Sequence, residues 1–298
     1  MKRAGVTGFT GFIGQRLMNY PKLNFTAVPL QLRGSEHGRF ECGGFETIIH
    51  LAGKAHDMSN PDPQQYFDVN TELTRQLATA AKAQGVSHFI YFSSVKVYGD
   101  GDEEYYNESS ACTPNDSYGE SKYRAEEILR EMETASFKIS VIRPPLVYGP
   151  GVKANMFNLM KLAKRNIPLP FGDQMNKRSM VYIDNLVELV NAVVNRQASG
   201  IFIAGDSEPI STKQLVTLIR KKMGMEALLF KMPYFLKSLL KKFKPLVFKR
   251  LYGSFVIDNN TTNKVLQFTP PHSTEDGIND MVSWYIQSTK VKDKSAIK

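Results

Sequence analysis

The sequence predicts an α/β fold in which helices cover both faces of a doubly wound parallel sheet. Three observations predict it: short apolar segments alternate with helical patterns through the first half, the first segment runs into a glycine-rich turn, and later ones end in small or polar residues. The predicted strands are 3–7, 25–32, 46–53, 88–92, 138–143 and 201–205. The predicted helices are 15–18, 63–84, one carrying Tyr118, 155–165, 186–194 and 211–222.

Charge and composition exclude several classes of protein. The 298 residues carry a net charge of +9, but most of the excess lies in residues 231–250, so a nucleic-acid-binding face is not expected. The chain has no apolar run of about 18 residues and no predicted signal peptide. Its two cysteines predict no disulfide framework, and the scattered histidines predict no metal site. We therefore expect a cytoplasmic protein.

The turn after the first strand has glycines spaced by three, at Gly8, Gly11 and Gly14, with Phe12 and Ile13 between the last two. Glycines in a strand–turn–helix context permit a tight turn and close approach of the backbone to a pyrophosphate. The following helix directs its N-terminus at the phosphates. This turn predicts a Rossmann-like dinucleotide site.

The ends of the second and third strands bear on the choice of dinucleotide. The second strand has no terminal acidic residue to accept the ribose 2′-OH of NAD, whereas Arg33 can pair with the 2′-phosphate of NADP. The third strand ends in Leu51, Ala52 and Gly53. The small residues at this end allow a cofactor to lie against the backbone. We predict NADP as cofactor, with NAD as the alternative.

Tyr118 and Lys122 are one helical turn apart, so both side chains can leave the same face of a helix. An ammonium group near a phenol lowers the phenol pKa, which makes such a pair a proton donor or acceptor for a carbonyl or alcohol. Ser94 follows the fourth strand, where open parallel sheets bind ligands. These three residues are the predicted reacting groups.

Residues 231–250 carry seven basic residues, no acidic residue and many interleaved apolar residues, with Pro245 breaking the helix. One interpretation is peripheral contact with an anionic membrane surface. The other, which we prefer on sequence grounds, is a surface helix pair that packs its apolar side on its own domain.

The sequence resembles the extended short-chain dehydrogenase/reductase family of nucleotide-sugar epimerases, dehydratases and reductases. Four features carry the resemblance by their order and separation: the glycine turn, Ser94 before a Val-Tyr-Gly segment, the Tyr118–Lys122 pair and the 143–151 turn. The resemblance covers nearly the whole chain. It implies that Ser94, Tyr118 and Lys122 are catalytic. It also implies that Pro145 contacts the cofactor with Tyr118 and Lys122, that Asn155 and Arg178 contact the nucleotide diphosphate, and that 168–172 line the base.

At three positions the sequence differs from the family pattern, and these differences reduce the number of reactions that we expect. Dehydratases of the family place Asp and Glu after the catalytic hydroxyl, where this chain has Val95 and Lys96, and many UDP-hexose 4-epimerases carry Asn where it has Leu146. The sequence is more similar to bacterial reductases of UDP-4-keto-6-deoxy-N-acetylhexosamines, which serve surface polysaccharide synthesis. A UDP-hexose 4-epimerase with tightly bound NAD is the alternative. Lys96 either approaches the sugar of the UDP-sugar substrate or is a solvated loop residue.

The resemblance also implies the domain organisation. We expect a dinucleotide-binding domain over 1–150, with 184–205 packing back onto it, and a smaller nucleotide-sugar-binding domain over 151–183 and 206–298. A homodimer through the helices around 64–84 and 118–133 is the family expectation.

Overall fold

A computed structural model describes residues 1–32, 40–55, 62–100, 105–173 and 175–295. The chain divides into two compact units. The first unit comprises Met1–Pro145, Asp184–Ala204 and Ile257–Pro270, and the second comprises Leu146–Ile183, Gly205–Val256 and Pro271–Lys298.

The described strands are β1 (Lys2–Thr7), β2 (Phe25–Pro29), β3 (Thr47–His50), β4 (His88–Phe92), β5 (Lys138–Arg143), β6 (Leu146–Tyr148), β7 (Met180–Tyr182) and β8 (Gly200–Ile203). The described α-helices are α1 (Phe12–Met18), α2 (Pro63–Tyr66), α3 (Leu73–Ala83), α4 (Ser117–Met132), α5 (Ala154–Ala163), α6 (Ile183–Arg196), α7 (Thr212–Lys222), α8 (Tyr234–Phe243), α9 (Pro245–Tyr252), α10 (Asn260–Leu266) and α11 (Thr274–Ser295). A π-helical segment, Phe67–Glu72, joins α2 to α3, and a 3₁₀ turn, Val95–Tyr98, follows β4.

A six-stranded parallel sheet in the order β2-β1-β3-β4-β5-β8 forms the centre of the first unit. The chain moves from β1 to β2 on one side and then returns to place β3 on the other side of β1. This reversal opens a crevice at the carboxyl ends of β1 and β3, which is where such sheets bind ligands. The predicted doubly wound parallel fold is confirmed.

Packing in the first unit explains why its strands are nearly continuous apolar runs. Phe89 and Tyr91 of β4 pack in one buried cluster with Leu77 of α3 and Leu129 of α4. A parallel sheet covered on both faces buries both sides of its strands, so the usual alternation of apolar and polar residues is lost.

Several predicted elements differ from the observed ones. The third strand ends at His50 rather than Gly53, and the first helix begins at Phe12 rather than Gln15. The second strand ends at Pro29 rather than Leu32, and the helix expected from Leu186 begins at Ile183. The long helix predicted over 63–84 is interrupted by the π-helical segment at Phe67–Glu72. Such segments are rare and often occur at functional sites.

The second unit contains the two-stranded parallel ribbon of β6 and β7 with helices α5, α7, α8, α9 and α11. Leu169, Phe171 and Val216 form a small buried core. Two side chains of the 168–172 stretch are therefore core residues. No helix among the described residues is long and apolar enough to cross a membrane.

We expect Glu126→Gln to destabilise the first unit strongly. Glu126 of α4 and Arg143 of β5 form a buried ion pair, and Arg143 Nη1 also donates to the Tyr98 hydroxyl at 2.8 Å. Loss of the carboxylate leaves a buried guanidinium without its counter-charge, at a cost of about 3–5 kcal/mol. Chemical denaturation measures this loss. Glu127→Gln at the exposed neighbouring position is the control, with an expected change below about 0.5 kcal/mol, and equal effects of the two variants would contradict the expectation.

Candidate active site

The turn after β1 packs the predicted glycines tightly against each other and against the end of β3. Gly8 has φ +63°, and a Cβ on it would lie 2.6 Å from the backbone nitrogen of Ala52. A Cβ on Gly14 would lie 2.2 Å from the Gly8 carbonyl oxygen. Gly11 donates to that carbonyl at 2.9 Å and precedes α1. Only glycine fits at Gly8 and Gly14, because backbone atoms occupy the space that a side chain needs.

The residues present fit a dinucleotide at this turn. Gly11 places no side chain over the N-terminus of α1, and no side-chain hydrogen bond caps this helix. The first-turn N–H groups, including that of Ile13, are thus available for a pyrophosphate. Phe12 is in the same turn. Arg33, the predicted partner of a 2′-phosphate, lies outside the described residues.

The segment that follows β3 places Gly53 against the side chains of Asn70 and Lys122. A Cβ on Gly53 would lie 2.9 Å from Asn70 Oδ1 and 3.1 Å from Lys122 Nζ. Asn70, in the π-helical segment, is fully buried, accepts from the Lys54 N–H at 2.8 Å and donates to Ser121 Oγ at 3.1 Å. Sequence reasoning missed Asn70, although an amide on the buried face of a predicted helix is the signal that could have found it.

Ser94 and Tyr118 are brought together by the end of β4 and the start of α4. Their side chains are hydrogen-bonded to each other, and Ser94 Oγ also accepts from the Lys96 N–H at 3.2 Å. Asp116 begins α4 by accepting from the Gly119 N–H at 2.7 Å, a typical N-cap. The two hydroxyls can therefore bind one carbonyl oxygen.

Gly119 permits this close approach. A Cβ at this position would lie 2.7 Å from the carbonyl oxygen of Lys96 and 3.2 Å from Cβ of Pro114. The missing side chain lets the first turn of α4 lie directly on the 3₁₀ turn that carries Lys96. Tyr118 is held beside Ser94 as a result.

Lys122 is buried and donates from Nζ to the carbonyl oxygen of Phe92 at 2.9 Å, with Nζ 4.8 Å from the centre of the Tyr91 ring. Burial lowers its pKa to about 8, partly opposed by Glu126. Burial also raises the pKa of Tyr118 to about 12, whereas its hydrogen bond with Ser94 lowers it. The expected net lowering of the Tyr118 pKa is wrong for this structure, because burial outweighs the groups that favour the phenolate.

Lys96 is half-buried, and its Nζ lies 3.3 Å from a carboxylate oxygen of Asp100 and 3.3 Å from one of Asp116. It is not simply a solvated loop residue, since two carboxylates hold it next to the Ser94 turn. The neighbouring Val95 is buried and donates its N–H to the Pro144 carbonyl oxygen at 3.2 Å. This bond joins the Ser94 turn to the buried end of β5, where Pro145 lies.

Asn155 and Arg178, the residues expected to contact the diphosphate, line one pocket of the second unit with a volume of about 360 Å³. Leu146, Val247 and Leu251 contribute apolar walls. The pocket thus combines an amide and a guanidinium with apolar surface, which suits a polar ligand that has an apolar or aromatic part.

The polar side of this pocket fits an anion. Arg178 Nη1 donates to the carbonyl oxygens of Lys249 and Gly253, both at 3.2 Å, which fixes the guanidinium. Asn155 is exposed in the first turn of α5, a helix without a side-chain cap. A guanidinium and uncapped helical N–H groups are suitable partners for a diphosphate.

His50, at the base of the glycine turn, is expected to make the stability of the first unit depend on pH. It is fully buried, Nδ1 lies 2.7 Å from Thr7 Oγ1, and Nε2 lies 3.0 Å from Thr74 Oγ1. Burial, and then the charge of Lys122, lower its pKa to about 3.

We expect the unfolding free energy to fall as pH decreases from about 6.5 towards 3. In this range His50 is protonated in the unfolded chain but remains neutral in the native state. The loss from this group is about 2 kcal/mol at pH 5. Chemical denaturation at pH 5 and 7 measures it. The His50→Gln variant should be less stable than the wild type at pH 7 but lose less on acidification, and an unchanged pH dependence in the variant would contradict this assignment.

Comparison with known proteins shows which family the chain belongs to. Residues 21–205 match the NAD dependent epimerase/dehydratase family. The chain is 31% identical over 312 residues to a UDP-glucose 4-epimerase of Vibrio cholerae, covering 95% of each chain. It is 28% identical over 247 residues to an N-acetyl-alpha-D-glucosaminyl-diphospho-ditrans,octacis-undecaprenol 4-epimerase of Escherichia coli O157:H7, covering 76% of this chain and 74% of that one.

A solved structure, the UDP-glucuronic acid 4-epimerase of Bacillus cereus in complex with NAD, has the same fold. It is 20% identical, with a TM-score of 0.75, and the similarity covers 96% of this chain and 99% of that chain. Fold, glycine turn and hydroxyl pair together define a dinucleotide-dependent enzyme of the α/β class. The chain belongs to the NAD dependent epimerase/dehydratase family.

Proposed function

We propose that the protein reduces the C4 ketone of a UDP-4-keto-6-deoxy-N-acetylhexosamine, in the synthesis of surface polysaccharide. The observation that carries this proposal is the Ser94–Tyr118 hydroxyl pair, in which burial raises the pKa of Tyr118 and so favours the protonated phenol further. A protonated phenol is the form that can give a proton to a carbonyl oxygen. A bound nicotinamide supplies the hydride to C4.

Each catalytic side chain has a distinct role in this proposal. Tyr118 donates its proton to the C4 oxygen as that oxygen gains negative charge, and Ser94 holds the carbonyl oxygen by a hydrogen bond. Lys122 would hold the ribose of a bound nicotinamide cofactor, and its positive charge favours the phenolate that remains. One hydride and one proton convert the ketone to an alcohol, so no further acid or base is required.

The substrate-binding residues are Ser94, Lys96, Asn155 and Arg178. Arg178 and Asn155 bind the diphosphate in the second-unit pocket, while Lys96 approaches the sugar. Loss of water by a dehydratase route needs an acid and a base next to Ser94. Val95 has no ionisable group and Lys96 has no carboxylate, so the Asp–Glu pair of the dehydratases is missing, which supports reduction over elimination.

The proposal includes NADP as the cofactor, a cytoplasmic location and a homodimer. In the sequence, the second predicted strand has no terminal acid and is followed by Arg33, which supports NADP over NAD. Neither cysteine, Cys42 nor Cys112, is in a disulfide, in agreement with a cytoplasmic location. We propose a homodimer formed through the helices around 64–84 and 118–133.

A second candidate function is a UDP-hexose 4-epimerase, which the similarity to the Vibrio cholerae relative favours. That reaction removes the C4 hydride and returns it to the opposite face, so the cofactor shows no net change. Tyr118 would first accept a proton and later return it. The relative from Escherichia coli widens the candidate substrates to sugars whose diphosphate is joined to a polyprenol.

Stoichiometry of cofactor oxidation separates the two candidates. Purified protein is incubated with NADPH or NADH and UDP-4-keto-6-deoxy-N-acetylglucosamine, and absorbance at the nicotinamide band is followed. We expect one cofactor oxidised per keto sugar, faster with NADPH. Retained NAD in the purified protein, with interconversion of UDP-hexoses and no net oxidation, would establish the epimerase instead.

A further inference from the structure

Helix α8 presents large apolar side chains to solvent. Tyr234 is 86% exposed, Phe235 69%, Phe243 66% and Leu239 51%, and α8 has no buried residue. We call these four residues the α8 patch. The sequence-based preference for a packed helix pair is therefore wrong for α8.

The orientation of α8 is set by a polar contact on its inner side. Lys237 Nζ lies 2.6 Å from Asp173 Oδ2, and both side chains are about one-quarter exposed or less. Phe235, Leu239 and Phe243 are spaced by four residues and so share one face of the helix, away from Lys237. A soluble surface helix usually has the opposite arrangement, with its apolar stripe inward.

Helices α8 and α9 follow each other directly and form a helical hairpin. Helix α9 holds this hairpin on the second unit and connects it to the pocket that contains Asn155 and Arg178. Tyr252 donates its hydroxyl to the Pro170 carbonyl oxygen at 2.9 Å, and its ring packs against Phe171. Val247, which is 38% exposed, lines the pocket that contains Asn155 and Arg178. The exposed hairpin is thus continuous with the rim of the pocket.

The charge around the α8 patch identifies what can cover it. Residues 231–250 contain seven basic residues and no acidic residue. Lys241, Lys242 and Lys244 are exposed beside the aromatic side chains. A second copy of the same face would bring like charges together, and nucleic acid offers no apolar phase for Phe235 and Leu239. An anionic bilayer surface satisfies both requirements, with lipid headgroups for the lysines and the acyl boundary for the apolar residues.

We propose that α8 and α9 form a peripheral docking surface for anionic phospholipid membranes, with the α8 patch inserted at the headgroup–acyl boundary. Docking places the rim of the Asn155–Arg178 pocket beside the bilayer. This surface acts whether the chemistry at C4 is reduction or epimerisation, because none of its inserted residues belongs to the Ser94–Tyr118–Lys122 site.

Vesicle co-sedimentation of the full chain tests the proposal. We expect the wild-type protein to pellet with vesicles of phosphatidylcholine and phosphatidylglycerol at 7:3, and at least about tenfold less with pure phosphatidylcholine or in 0.5 M salt. Phe235→Ser/Phe243→Ser and Lys241→Gln/Lys242→Gln should each weaken binding to the anionic vesicles by about tenfold or more. Cofactor oxidation without vesicles should be unchanged in both.

Matched control variants separate the patch from exposed residues in general. Val265 is 56% exposed on α10, and Val265→Ser should bind vesicles like the wild type, as should Lys222→Gln on α7. Absence of vesicle binding, equal binding to neutral vesicles, or equal loss in the controls would overturn the proposal. So would a lower oligomeric mass of Phe235→Ser/Phe243→Ser in size-exclusion chromatography with light scattering, which would make the patch an interface between copies.

Discussion

Replacing Tyr118 with phenylalanine is expected to reduce kcat by about 10²–10⁴-fold. The variant removes only the hydroxyl that hydrogen-bonds Ser94 and keeps the ring, which lies 5.9 Å from the Tyr66 ring in an edge contact. Packing of the first turn of α4 is thereby retained. The oxygen at C4 then lacks its proton donor at the moment when charge develops on it.

Initial rates and cofactor binding should be measured on the same preparation. We expect Kd for NADPH, from quenching or enhancement of nicotinamide fluorescence, to change by less than about threefold, because the loss is in proton transfer and not in binding. Tyr123→Phe, on the same helix, is the matched control and should keep wild-type kcat. A Tyr118→Phe enzyme with more than about half of wild-type kcat would remove Tyr118 from the reaction.

Replacing Lys122 with methionine is expected to reduce kcat by about 10²-fold or more while leaving the protein as stable as the wild type, or more stable. Lys122 is 5% exposed, and burial lowers its pKa from 10.5 to about 8. At pH 7 the native state must therefore hold a charge that burial disfavours. Methionine fills similar space without that charge, so activity and stability should move in opposite directions.

The pH dependence provides a separate readout for Lys122. Its native pKa is lower than its unfolded pKa, so between about pH 8 and 10.5 the unfolded chain binds more protons, and wild-type stability gains a contribution that rises with pH. Lys122→Met should lack that rise in a series of thermal unfolding experiments. A variant that loses stability and activity together at pH 7 would show that Lys122 is mainly structural.

The sequence was sufficient to predict the fold and to select candidate reacting groups, since both depend on order along the chain. Glycine spacing after a strand identified the Gly8–Gly14 turn, and the rule that ligands lie at the carboxyl ends of parallel strands selected Ser94 before any contact was known. The structure brings Ser94 and Tyr118 into hydrogen-bond contact.

Features that depend on three-dimensional packing were not predictable. The pKa of Tyr118 is set by burial, and Lys122 donates to the Phe92 carbonyl, which is 30 residues earlier in the chain. Asn70 lies in the π-helical segment and donates to Ser121, which is 51 residues later in the chain. The outward face of α8 likewise depends on the Lys237–Asp173 contact, which joins residues 64 positions apart.

Deuterium transfer to the sugar tests the central claim, reduction at C4, most directly. UDP-4-keto-6-deoxy-N-acetylglucosamine is incubated with NADPH that carries deuterium at the transferable C4 position of the nicotinamide, and the product is examined by NMR. The proposal predicts deuterium at C4 of the sugar, one equivalent of oxidised cofactor per product, and loss of both in Tyr118→Phe. A product without deuterium at C4, or unchanged keto sugar with UDP-hexose epimers interconverted by the same preparation, would contradict it.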